Sequence, residues 1–423
     1  MMRRLLAWPL LAAGLLFAPS FRHLNETGFV KQNLDFADRQ IKLMLKEVDG
    51  TATFPRTTDS AGKLVLTDMY DWTPGFFPGS LWYTYQYSSD PQMKEAAIKW
   101  TERLEPLKDF RDHHDLGFMM YCSYGNAYRL TGREQYRDNL VQAARSLCTR
   151  FDPRVGCIKS WNTFRSWHGN KIYRYPVIID NVMNLELLFF ATKVTGDSSF
   201  YKIAITHADN TLKNQFRKDY SSYHVVCYDT ATGKVEGLET AQGYADNSTW
   251  SRGQAWAIYG YTMIYRETGN AKYLKAAKGM ADWYLNCKSL PADKIPYWDF
   301  NINQKGYKPG INSFANKVRL DYRDASAAAI TSSGLLELST YTGTTGKKYK
   351  TAAITMLHSL AGPAYRADSA TNGNFLLKHS VGSIPHQTEI DAPLVYADYY
   401  FLEALHRYDQ LLKGEELYHL VKK

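Results

Sequence analysis

Tyr175-Pro176-Val177-Ile178-Ile179-Asp180-Asn181-Val182-Met183-Asn184-Leu185-Glu186-Leu187-Leu188-Phe189-Phe190-Ala191, running on to Lys193-Val194-Thr195-Gly196, is the stretch that decides the fold. Asp180 stands where a helix N-cap belongs, and Gly196 where a helix stops. The residues between them are apolar almost all round, so this helix is expected to be buried on every side. A carboxylate at the mouth of a buried helix is costly unless something uses it. Capping is one such use, and alone it would account for Asp180.

The arrangement recurs along the chain. Asp115 opens Leu116 to Leu130, which ends at Thr131-Gly132. Ser251-Arg252-Gly253-Gln254 opens a run to Arg266, ending at Thr268-Gly269, and Asp324 opens Ala325 to Tyr341, ending at Thr342-Gly343. Asp391 precedes Ala392-Pro393 and a run to Tyr408, and Asp71-Trp72-Thr73-Pro74-Gly75 precedes Phe76 to Tyr87. After four of these apolar helices a Thr-Gly turn leads into a second helix with a single apolar stripe. Tyr136, Leu140, Ala143, Ala144 and Leu147 make one such stripe, and Tyr349, Ala353, Met356, Leu357 and Leu360 another. A fifth striped helix falls near Lys94 to Leu104, and Phe29 to Lys46 supplies a sixth.

A repeat of one buried and one half-buried helix describes a closed ring. The expected fold is therefore all-α, an (α/α)6 toroid of six inner and six outer helices. Alternating helices run antiparallel, so all inner helices start at one end of the ring. Their positive dipole ends converge there. Asp71, Asp115, Asp180, Arg252, Asp324 and Asp391 are then expected around one cleft.

Length alone would suggest roughly three domains. The repeat argues instead for one domain over residues 21–423, and 45% hydrophobic content is ample for its core. Residues 1–20 read as a cleavable signal peptide. Arg3-Arg4 is the charged start, Leu5 to Phe17 an apolar core too short to span a membrane, and Ala18 and Ser20 the small residues that follow. An exported protein, periplasmic or secreted, with no membrane attachment after cleavage is the expectation. The chain carries a formal charge of +9, and loss of Arg3 and Arg4 leaves +7. A basic surface suits an acidic ligand, though it is not specific to one. No basic run is interleaved with aromatics, as nucleic-acid binding would require.

Five cysteines form no CxxC pair; buried free thiols are the expectation, with a Cys148–Cys157 bridge as the alternative. His113-His114 has no second ligand cluster, and HExxH, a Gly-rich phosphate loop and GxSxG are absent. No metal or cofactor is therefore expected. Most of the 31 tyrosines and 10 tryptophans belong to the core. Trp72, Trp161, Trp167, Trp250 and Trp298 sit in stretches beside inner-helix starts, where they are expected to rim the cleft.

Several of these stretches, read together, resemble the unsaturated glucuronyl hydrolases of glycoside hydrolase family 88. They are Asp71 to Gly79, His114-Asp115-Leu116-Gly117-Phe118, Asp180 to Leu185, Ser222-Tyr223-His224-Val225-Val226, Gln242 to Trp256, and Tyr396-Ala397-Asp398-Tyr399-Tyr400. The resemblance runs from about Asn33 to Tyr408. It implies an (α/α)6 toroid acting on oligosaccharides that end in a 4,5-unsaturated uronic acid, the product of a polysaccharide lyase. It makes Asp180 the general acid/base and Asp115 the second essential carboxylate. It assigns sugar contacts to His224, Gln242, Trp250, Arg252 and Trp256, and also to Trp72 and Trp161. The loop His379 to His386, with Ser380 and Ser383, lies where members contact sulfate groups. Some members have a lysine there; this chain has Pro385 and His386, which leaves sulfation preference open.

The implied chemistry differs from ordinary glycoside hydrolysis. The C4=C5 bond and ring oxygen form an enol ether; protonation at C4 places an oxocarbenium at C5, and water adds there. The hemiketal opens and the C1 substituent leaves. One carboxyl suffices to give a proton and take one from water. Such an acid must stay protonated near neutral pH, so burial and a like-charged neighbour must outweigh the helix dipole. Three competing readings are an unsaturated rhamnogalacturonyl hydrolase acting on pectin fragments, a sugar 2-epimerase on the same toroid, and a non-catalytic sugar-binding module. Gln242 to Trp256 speaks against the first. Paired aspartates where histidine bases would be needed speak against the second, and two buried aspartates against the third.

Overall fold

The computed structural model describes residues 17–417, with side chains from residue 25. The leader reading of residues 1–20 lies outside this range, except for the backbone of its last four residues.

Six inner helices form a closed ring among the described residues. They are α2 (Phe76–Ser88), α4 (π-helical over Gly117–Gly125, then α-helical over Asn126–Thr131), α6 (Asn181–Thr195), α8 (Ser251–Thr268), α10 (Ala325–Tyr341) and α12 (Val395–Lys413). Each packs on the next, and α12 packs back on α2. Around them lie α1 (Phe17–Glu47), α3 (Pro91–Glu102), α5 (Glu134–Cys148), α7 (Ser198–Asn214), α9 (Ala271–Asn286) and α11 (Gly346–Leu360). This is the (α/α)6 toroid that the repeat predicts.

The burial pattern follows the sequence pattern. In α8 every residue from Ser251 to Ile264 is buried, whereas α5 buries a stripe that includes Tyr136, Leu140, Ala143, Ala144 and Leu147. One continuous apolar core runs from Val30 to Tyr408. Inner helices α4, α6 and α8 end on Gly132, Gly196 and Gly269 in the left-handed conformation, at φ 67°, 75° and 64°. A side chain there would be strained, which is why Thr-Gly marks the stops.

These turns are short and lie at one end of the ring. The connections that lead back from outer to inner helices lie at the other end, and most are long. They carry short antiparallel ladders: β1 (Phe54–Thr58) with β2 (Leu64–Thr67), β3 (Phe151–Asp152) with β4 (Cys157–Ile158), and β5 (Phe164–Arg165) with β6 (Ile172–Tyr173). A three-stranded sheet follows in the order β7 (Pro176–Ile178), β8 (Val225–Tyr228), β9 (Val235–Glu239), and a last hairpin pairs β10 (Ser380–Ser383) with β11 (Thr388–Ala392). Strands of two to five residues are too short for an alternating pattern to declare itself in sequence.

Two expectations need correction. Asp391 does not open an inner helix: it lies in β11 at φ 57°, paired through its carboxylate with His379 Nδ1 at 2.7 Å, and α12 starts only at Val395. Pro393 is the reason, because the residue before a proline is kept out of the helical region. Trp298 is fully buried core, its indole donating to Leu320 O, and does not rim a cleft. The five cysteines, by contrast, are all free, in line with the expectation of free thiols; Cys148 and Cys287 are only partly buried.

Candidate active site

Asp115 and Asp180 stand at the starts of adjacent inner helices. Gly117 lets those helices close up: a Cβ there would lie 2.5 Å from Asn184 Cα. Phe118 N–H donates to Asn184 Oδ1 at 3.1 Å across the same contact. The π-helical turn of α4 begins at this point. Such turns are rare and gather at functional positions.

The two carboxylates are treated differently. Asp115 is flanked by His113 Nδ1 at 3.1 Å and His114 Nε2 at 3.4 Å. Burial pushes Asp115 up, but His114 and His113 together hold it below the ordinary carboxylate range. Asp180 has no such help. It occupies the N-cap position of α6, yet its side chain makes no capping bond, and Oδ1 is buried without any hydrogen-bond partner. Burial raises its pKa to about 7; Arg252 opposes this and the Asp115 charge adds to it. The carboxyl is thus not a cap, and burial keeps it available as a proton donor far above the ordinary carboxylate range.

Around Asp180 gathers a set of buried polar atoms that lack partners. His224 Nδ1 accepts the N–H groups of Ala241 and Gln242, both at 3.1 Å, so Nε2 carries the proton. That Nε2 is buried and unpaired. Burial first, and then Arg252, keep His224 neutral. Its ring lies 4.4 Å from that of Trp250, whose indole N–H is also unpaired. Arg252 is 4.5 Å above the Trp250 ring. It ion-pairs with Asp324 at 3.3 Å and donates to Val381 O and Gly382 O, leaving only Nε free. Ser380 Oγ, Trp256 Nε1 and Tyr396 OH are buried and unpaired as well.

A cavity of about 600 Å³ opens beside this group. Its wall includes Trp72, Trp161, Gln242, Arg252, Ser383 and Tyr396. Gln242 donates to Gly382 O at 3.3 Å, and Ser383 Oγ pairs with His386 Nδ1 at 2.6 Å. Asp115, Asp180, His224, Trp250 and Ser380 do not form the wall; they are buried among the residues that do. Trp256 lies deeper still, its ring 4.9 Å from Phe118 and 5.2 Å from Tyr400. Asp324 is spent on its helix, accepting Ser326 N–H and Ala327 N–H, and Asp71 accepts Thr73 N–H and pairs with Arg56. Of the helix-start acids, only Asp115 and Asp180 remain as candidates for chemistry. Arg56 and Tyr396 went unassigned in the sequence reading. Arg56 lies in a strand too short to register, and Tyr396 was one aromatic among many.

The sequence profile described as Glycosyl Hydrolase Family 88 matches residues 45–272, more than half of the chain. The chain belongs to glycoside hydrolase family 88. It is 44% identical over 390 residues to the unsaturated glucuronyl hydrolase of Formosa agariphila, covering 92% of each. It is 33% identical over 386 residues to the unsaturated chondroitin disaccharide hydrolase of Streptococcus pneumoniae, covering 90% of this chain and 91% of that one. Among solved structures, an unsaturated glucuronyl hydrolase described as specific for heparin superposes with a TM-score of 0.83 at 43% identity, over 92% of this chain and 99% of that chain. The family 88 chain is a glycoside hydrolase.

Proposed function

We propose that this hydrolase removes the 4,5-unsaturated uronic acid from the non-reducing end of lyase-generated, glycosaminoglycan-type oligosaccharides. The named relatives support the substrate class. The observation that carries the mechanism is the Asp180 carboxyl: buried, uncapping, unpaired, and shifted to about 7.

In its protonated form Asp180 donates to C4 of the enol ether. As carboxylate it then takes a proton from the water that adds at C5. The hemiketal opens and releases the sugar once held at C1. Asp115, held anionic by its histidines, keeps the Asp180 proton in place by like charge. Neutral His224 offers Nε2–H, and Trp250 its indole N–H, to sugar hydroxyls. Gln242 and Ser383 add polar contacts from the wall, with Ser380 behind them, while Trp72 and Trp161 give faces for sugar rings. Trp256 supports the floor. Arg252 holds the β10 hairpin by two carbonyls and presents Nε.

A panel of lyase-made disaccharides tests this reading through loss of the conjugated-alkene absorbance. The unsaturated sugar should be consumed and its saturated counterpart left intact. Equal turnover of a saturated glucuronide would refute the enol-ether route. The leader segment supports export to the periplasm or beyond, and N-terminal sequencing of the exported protein should find a start near residue 21.

A further inference from the structure

The cavity contains a second arginine that the chemistry above does not use. Arg56, from β1, lines the wall and is three-quarters buried in its side chain. Its Nε pairs with Glu389 of β11 and its Nη1 with Asp71. Nη2 makes no hydrogen bond among the described residues. Tyr396 shares the cavity wall with Arg56 and Arg252. Its ring is 5.2 Å from the Arg252 guanidinium and 4.8 Å from the Trp72 ring. Arg252, Glu389, Asp324 and Arg56 all act electrostatically on its hydroxyl. Tyr396 is 1% exposed, its OH has no partner, and it lines the cavity.

A buried phenol without a partner is expensive unless a ligand completes it. Burial also pushes its pKa up, so it remains an O–H donor at any working pH. The free donors at this corner are then Arg56 Nη2, Tyr396 OH and Arg252 Nε. All three are donors, which fits the two acceptor oxygens of a carboxylate, although Asp71, Glu389 and Asp324 already balance the guanidinium charges. The other arginine of the wall, Arg165, is exposed at the rim and bonded to Asn170 at 3.2 Å. Water screens a charge in that position.

Resting on the function proposed above, we infer that Arg56 and Tyr396 complete the binding corner for the carboxylate of the unsaturated uronate. The test compares the unsaturated disaccharide with its uronate methyl ester, which keeps the conjugated alkene and loses the charge. We expect the wild-type enzyme to prefer the acid. The acid-to-ester ratio of kcat/KM should fall by about tenfold or more in Arg56→Met, and several-fold in Tyr396→Phe, mostly through KM for the acid. Ester turnover should fall less than acid turnover in either variant. Arg56→Met leaves Glu389 and Asp71 without their partner; if it does not fold, Tyr396→Phe decides, because it removes one oxygen and keeps the ring.

A wild type indifferent to esterification overturns the assignment. So does an unchanged ratio in Tyr396→Phe, or a ratio that responds only to Arg252→Met or Arg165→Met. Failure of the wild type on every unsaturated disaccharide, acid and ester alike, would instead strike the proposed function.

Discussion

Two acids on one helix make an instructive pair. Asp180 heads α6 at the mouth of the ring, and Glu186 lies six residues further down its axis. Burial raises both to about 7. Asp180 Oδ1 touches no donor. Glu186 pairs with Arg266, whose other nitrogens reach Glu267 at 3.0 Å and both oxygens of Glu337 at 2.8 and 3.0 Å. Arg407 joins the same set through Glu337 at 3.2 Å, Ser333 O and the Tyr259 hydroxyl, and Glu403 accepts from Tyr83 and Tyr259. A shifted pKa therefore does not separate the chemistry from the scaffold. Asp398, raised to about 8 by burial, simply holds the N–H groups of Leu376 and Leu377. What separates Asp180 from Glu186 is a carboxylate oxygen left without a donor at the mouth and a carboxylate built into an arginine network below it. Satisfied networks stiffen a core, while unsatisfied groups wait for a ligand.

The largest effect should come from breaking the pair on its first member. Asp180→Asn should lower kcat by about 10²–10⁴ or more with the fold intact. Glu186→Gln should leave kcat within a few-fold. Turnover on the unsaturated disaccharide, beside thermal melting of both variants, checks this. A folded Asp180→Asn protein with near-native turnover would end the mechanism.

Arg266→Met attacks the second member. It strands buried carboxylates, so a loss of about 3–5 kcal/mol of stability is expected, read as a large fall in Tm. Whatever folds should keep a normal KM.

The pH dependence sharpens the contrast. On the proposed mechanism Asp180 gives its proton to C4, so activity should fall as pH rises through about 7. Asp115→Asn removes the like charge that supports this shift, and the falling limb should move to lower pH. Stability has a sign of its own. The folded pKa lies above the unfolded value, so stability declines as pH rises from about 4 to about 7. Asp180→Asn removes that penalty and should raise Tm at pH 8 more than at pH 5. Equal shifts at both pH values would count against the raised pKa.

The smallest effect belongs to Asp391. Exposed and paired only with an exposed histidine, Asp391→Asn should change stability by about 0.5 kcal/mol or less, with turnover unchanged.

The ring was legible in sequence because it repeats. Apolar runs that begin on a polar residue and stop on Thr-Gly fix twelve helices and their direction, and the direction alone brings Asp115 and Asp180 together. That Asp324 caps while Asp180 does not was illegible, because both occupy the same position in the pattern. The choice depends on where Arg252 and β10 come to lie, and those contacts span some 70 to 130 residues of chain. Glu186, Arg266, Glu337 and Arg407 were hidden for another reason. Single charges in apolar helices carry no partner label, and pairing them requires the ring to be closed first. Arg56 and the mouth hairpins were missed because strands of two to five residues leave no period to read.

The π-helical turn of α4 acts as a spacer with a fixed setting. Each residue of an α-helix advances the chain by about 100° around the axis. Adding one residue between Gly117 and Gly125 would exceed what the wide turn already absorbs, and everything before it would swing by about that angle. Asp115 would leave the face it shares with Asp180, with no change in composition and little loss of core. Length in this segment is therefore under tighter control than identity. A one-residue insertion there should silence the enzyme where many substitutions would not.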